Sequence, residues 1–275
     1  MIRGPTLMAV LFAGVLCYSP LRADAGPTSC PASDDVAGVV APLPHVGAVL
    51  QAGSTLNVLA IGSASMFGPE ASLAPGTLTD QAVNGAASTT APSAQVMTDH
   101  ASNAFPERMA KALEAAVTGM KVNVTVRGGR GLSAADQLHL LQDGLQHGTF
   151  ALVIWQTGTV EAVRNLPPSE FAQTLADGAD SVATAGADLV LIDPQFSRFL
   201  QTNSNIEPYQ QAFQQLGSLP GVLLFRRFDL MRTWVNDGQI DLERTPKGER
   251  KRAVERLHTC LGEHLARLVL SGARS

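Results

Sequence analysis

Five short runs of β-favouring residues recur along the chain with helically patterned segments between them, and that alternation restricts the fold more than any other feature. The runs are residues 56–61 (LNVLAI), 121–126 (KVNVTV), 150–156 (FALVIWQ), 188–192 (DLVLI) and 221–225 (GVLLF). Most are continuously apolar, as strands covered on both faces are; KVNVTV instead alternates with period two. The spacing of Phe105, Met109, Ala112, Leu113 and Ala116 predicts a helix over 104–117 behind a Ser102 or Asn103 cap. Further helices are expected over 133–146 (Ser133 cap, Gly148 stop), 169–185 (after Pro167-Pro168), 208–216, 228–235 and 247–270. Strands joined through helices call for a parallel sheet with right-handed crossovers. With no second apolar block set off by linkers, residues 55–272 are expected to form one domain.

The N-terminus predicts export. Arg3, an apolar stretch over 7–17 and Ala23-Asp24-Ala25 form the three parts of a cleavable signal over residues 1–25. The apolar stretch is well short of the roughly 20 residues that cross a bilayer, so the mature chain is expected to be secreted or periplasmic, with no membrane span. Cys17 follows Leu16 and lacks the small residue that precedes a lipidated cysteine. Cleavage leaves Cys30 and Cys260, an even pair that predicts a disulfide in an oxidising compartment. Residues 26–54, with Pro27, Pro31, Pro42 and Pro44, are expected to be a surface arm without regular structure, and 69–102 a long flexible loop beside the ligand crevice.

Composition excludes some partners. A net charge of −4 and a basic stretch over 247–256 interleaved with Glu249 and Glu255 give no basic face for nucleic acid. His45, His100, His139, His147 and His264 lack the spacing of metal ligands. The segment VRGGRGLSAAD (126–136) lacks the acidic ribose partner of a dinucleotide site. Neither metal nor cofactor is therefore expected.

Strand ends in such a sheet deliver ligand-binding turns. LNVLAIGSASMFG (56–68), the 126–136 segment and WQTGTVEAVR (155–164) resemble, in order and spacing, the turns of the SGNH (GDSL-type) hydrolases over nearly all of 55–270. The resemblance implies a flavodoxin-like α/β three-layer sandwich with strand order 2-1-3-4-5. It also implies ester hydrolysis by a serine, with oxyanion donors from that serine's backbone, a glycine and an asparagine, and a base in a C-terminal D-x-x-H. Gly131 falls in the glycine position. Ala64 stands at the nucleophile, flanked by Ser63 and Ser65, and Val160 stands at the asparagine, with Thr159 before it and Glu161 after it. Alanine has no oxygen with which to attack, and valine cannot donate to an oxyanion.

For the base, Glu255 and His258 have the form E-x-x-H; aligning by the final helix instead puts the family's histidine near Arg252, leaving His258 a helix residue beside the disulfide. Asp193, after the fourth run, is expected to face the same crevice. Two functions follow. The first is a crevice that binds a glycan, an acyl group or a protein partner without the standard serine chemistry. The alternative is an ester hydrolase acting on acyl or acetyl groups of a glycan or lipid through Ser63 or Ser65 with His258.

Overall fold

The computed structural model describes residues 1, 30–31, 41–72, 95–97 and 103–275. Residues 2–25 of the expected signal segment and most of the 69–102 loop lie outside them. Strands β1 (Leu56–Gly62), β2 (Gln95–Met97), β3 (Val122–Arg130), β4 (Leu152–Gln156), β5 (Asp188–Ile192) and β6 (Val222–Phe225) form one sheet in the order β2-β3-β1-β4-β5-β6. The five long runs pair in parallel in the expected 2-1-3-4-5 order, from Leu56↔Val122 on one side of β1 to Ile192↔Phe225 at the far side. Outside β3 the short β2 adds an antiparallel edge.

The alternation of side chains assigns the two layers. Val58 and Ala60 of β1, Ile154 of β4 and Val190 of β5 face the core beneath α1 (Pro44–Ala52), α3 (Phe105–Ala116), α9 (Arg227–Asn236) and α10 (Arg250–Ala273). Leu59, Ile61, Val153 and Trp155 face the opposite core beneath α4 (Ala134–His147), α6 (Pro168–Thr184) and α8 (Glu207–Leu216). The short α2 (Pro69–Ser72), α5 (Thr159–Arg164) and α7 (Arg198–Asn203) follow strands β1, β4 and β5. Trp155 is fully buried, its indole N–H donating to Gln137 at 2.8 Å.

Three local expectations are corrected. Residues 44–52 are helical rather than irregular: Pro44 occupies the first turn, where its missing N–H costs nothing. The buried Asp188 carboxylate accepts from Val46 N at 2.9 Å, and Leu43 N donates to Gly272 O, so this stretch belongs to the domain. The glycines at 128 and 129 lie within β3 rather than in a turn, because β2 pairs against them. The last helix starts at Arg250, after a 3-10 turn over Lys247–Glu249. Ser133 caps α4, as the sequence predicts, and the structure adds a reciprocal capping box with Asp136. Cys30 and Cys260 are joined in a disulfide that fastens the N-terminal segment to α10. Beside it, the His264 ring N–H donates to the Pro31 carbonyl at 3.0 Å.

Candidate functional site

β1 ends on Gly62, which lies beside Gly128 within β3. At Gly128, φ is +150°, and a Cβ there would lie 1.9 Å from the Gly62 carbonyl oxygen, so the end of β1 meets β3 backbone to backbone. After Gly62 the chain turns through Ser63 into a 3-10 helix, Ala64–Phe67, tied by Met66 N to Ser63 O. Ala64 is buried at the first position of that turn, 6% exposed.

The serines on either side of it share one partner. Gln156, the last residue of β4 and itself buried, donates from Nε2 to Ser63 Oγ at 2.7 Å and accepts from Ser65 Oγ at 2.6 Å. A neutral amide can hold two hydroxyls in place, but it cannot take up a proton as a base does. Beyond Gln156, the hydroxyls of Thr157 and Thr159 are enclosed without a hydrogen-bond partner. Gln156 was not among the residues singled out in the sequence; a polar residue closing an otherwise apolar strand is the signal that marks it.

The 126–136 and 155–164 turns are joined by Glu161. Its carboxylate accepts from Ala134 N at 2.5 Å and from Gly158 N at 3.1 Å. Burial raises its pKa, opposed by those backbone N–H groups. Glu161 therefore ties the start of α4 to the positive-φ turn at Gly158 (+89°). Gly131 takes φ +68° in the other turn. Val160, in the first turn of α5, brings no donor.

Asp193 is turned inward. Its Oδ1 accepts from Phe228 N at 2.9 Å, and its carbonyl accepts from Arg227 Nε at 3.1 Å. Burial, opposed by the Phe228 N–H and the Arg227 charge, raises its carboxyl to about 7. It caps α9 from inside the fold.

His258 lies within α10 and is 2% exposed, its ring 6.1 Å from that of Phe105. Its Nε2 is 3.0 Å from Ser72 Oγ, while Nδ1 is enclosed without a partner, so Glu255 does not orient the ring. No hydrogen bond among the described residues joins His258 to Ser63 or Ser65. Burial, together with the charges of Arg108 and Arg227, lowers its pKa to about 3, making it a neutral and weakly basic imidazole. Arg252 is exposed on the first turn of the same helix. The structure thus gathers Ser63, Ala64 and Ser65 around Gln156, places Gly131 and Glu161 at neighbouring turns, and leaves Asp193, Glu255 and His258 in other surroundings. Among the described residues no His, Cys, Asp or Glu cluster could hold a metal, and no helix is long and apolar enough to cross a membrane.

The sheet order and the three turns define a fold of the SGNH/GDSL hydrolase superfamily. Solved structures agree at low identity. A protein assigned to the lipolytic G-D-S-L family from Desulfitobacterium hafniense matches with TM-score 0.52 at 15% identity, over 77% of this chain and 98% of its own. The lipase/acylhydrolase from Enterococcus faecalis matches with TM-score 0.51 at 13% identity, over 77% and 96%. A variant of an acetyl-xylooligosaccharide esterase from Geobacillus gives 0.53 at 12% identity, over 78% and 94%. No curated protein matches the chain. Within the superfamily the chain belongs to the non-GDSL lipase-like family, whose model matches residues 29–275.

Proposed function

We propose that this protein is an exported member of the family that uses the crevice at the ends of β1, β3 and β4 to bind a ligand, without serine-esterase chemistry. The observation that carries this reading is the Ala64 turn, in which both neighbouring hydroxyls are held by Gln156 rather than by a base. Loss of a serine nucleophile costs on the order of 10⁶-fold in rate, and loss of one oxyanion donor about 10²- to 10³-fold. Ala64 and Val160 together leave no ordinary esterase. Ser63 and Ser65, both partly exposed, present uncharged hydroxyls positioned by the Gln156 amide, groups suited to a hydroxylated ligand such as a glycan, ahead of an acyl group or a protein partner. Hydrolysis by Ser63 or Ser65 with His258, the alternative, requires that imidazole to leave both Ser72 and the core.

Fluorophosphonate labelling of the mature protein, run beside para-nitrophenyl acetate turnover, tests the choice. The expected result is neither label nor turnover, with soluble oligosaccharides giving a saturable change in intrinsic fluorescence that Gln156→Leu abolishes. Labelling that disappears in Ser63→Ala or Ser65→Ala overturns the non-catalytic reading.

A further inference from the structure

The two serines beside Ala64 differ in what they can offer a ligand. Gln156, 2% exposed, lies so close to Gly62 that a Cβ there would stand 3.0 Å from its own, which fixes the amide beside the turn. Its Nε2 donates to Ser63 Oγ, and its Oε1 accepts the Ser65 hydroxyl. Ser63 has thus received a hydrogen and keeps its own proton to give. Ser65 has given its proton to the amide and is left with lone pairs alone. Both serines are partly exposed, so these remaining capacities are within a ligand's reach.

We propose that Ser63, Gln156 and Ser65 form a polarised edge that recognises two free neighbouring hydroxyls of a sugar, one accepting from Ser63 and the other donating to Ser65, a reading that rests on the crevice being a glycan site. A primary amide that bonds to two hydroxyls through both its ends donates to one and accepts from the other. Turning the amide over exchanges the roles of the serines and still leaves one donor and one acceptor for the ligand. A carboxylate at the same position would draw the protons of both serines to itself and leave two acceptors. The polarity of the edge is therefore a property of the glutamine.

That polarity discriminates among ligands. An ionised carboxylate only accepts, so it would set a negative oxygen against the lone pairs of Ser65. An ester also has acceptors alone. An acyl group on the sugar hydroxyl that meets Ser65 removes the hydrogen bond there and turns one acceptor against another. A secondary amide such as an N-acetyl group is trans, with its N–H and C=O on opposite edges, and one edge cannot serve both serines. Adjacent sugar hydroxyls can, because each gives or takes a hydrogen and each rotates by itself. The edge therefore fits an unacylated stretch of glycan in preference to an acylated or anionic one.

The test uses the mature, disulfide-bonded protein and the methyl glycosides of glucose, mannose, galactose and xylose. Binding is followed by intrinsic fluorescence and by the side-chain amide resonances of Gln156, identified by their absence in Gln156→Leu. In each glycoside that binds, every hydroxyl in turn is replaced by hydrogen or by fluorine, which accepts weakly and cannot donate. Two adjacent positions are expected to cost about tenfold each as the deoxy sugar, one partly rescued by fluorine and the other not. Ser65→Ala is expected to make the unrescued position indifferent, and Gln156→Glu to abolish the rescue at its neighbour. Fluorine rescuing both positions or neither in the wild type, an unrescued position still costly in Ser65→Ala, acetylation tolerated at every position, or binding that leaves the Gln156 resonances still overturns the proposal and spares the glycan reading. Saturation by none of the glycosides overturns both. Should Gln156→Glu not fold, the wild-type and Ser65→Ala results decide.

Discussion

Ala64 differs from a serine by one oxygen, yet restoring that oxygen is not expected to restore an enzyme. Ala64→Ser places a hydroxyl in a turn where the neighbouring serine hydroxyls already answer to Gln156, and among the described residues no imidazole bonds to that turn. The variant should remain unlabelled by fluorophosphonate; labelling would show that a base reaches the turn in solution. Glu161 is the residue whose loss the fold should feel most sharply here. Glu161→Gln keeps the shape but turns an NH2 toward one of two backbone N–H groups, and about 1–3 kcal/mol of stability should be lost in urea titration. Asp193 gives a pH signature. Its folded pKa of about 7 lies above the ordinary 3.8, so the folded chain keeps a proton that the unfolded chain has released. That contribution is full below about 4 and is lost as pH rises through about 7. Asp193→Asn does not titrate and should gain on the wild type between pH 4.5 and 7.5, by a few kcal/mol at most; a pH-independent difference in unfolding midpoint would rule this out.

Among the elements, α10 carries more than its amphipathic pattern announces. It packs on α3 so closely that a Cβ at Gly262 would sit 2.9 Å from Met109 N and from Phe105 O, both backbone atoms. Gly262→Ala should therefore cost roughly 1–3 kcal/mol although alanine is the better helix former, and a raised melting temperature would contradict the contact. Periodicity made the five parallel strands and the main helices legible, because each buries its apolar set against the sheet. What it could not convey depends on partners distant in sequence. Pro44 looked like a breaker until Asp188, 142 residues away, supplied the acceptor for the helix it opens. Gly128 and Gly129 looked like a turn because β2, which pairs with them, lies in a segment without strong strand character. Glu255 and His258 have the spacing of a base dyad, but a helix face chosen by packing sends the imidazole to Phe105 and Ser72. The substituted turns could be located from the frame around them, whereas the role of Gln156 required seeing both serines converge on it.

At the scale of the molecule, both ends of the domain meet on one helix. The cystine spans 230 residues of sequence, and Leu43 hydrogen-bonds to Gly272 near the other end of α10. Closing so long a loop stabilises by on the order of 4 to 5 kcal/mol at most in the chain-entropy view. Cys30→Ser should lower the melting temperature and leave one free thiol, while the unreduced mature wild type should show none after denaturation; two reactive thiols in the wild type would disprove the bridge. The same bond governs how the protein meets a mechanical load. Tension applied between the chain ends passes from Cys30 to Cys260 through a covalent link, so the sheet and both cores between them are bypassed by the force. A single molecule stretched by its termini should yield only the segments outside the cystine, and release the extension of the whole domain only once a reductant is added.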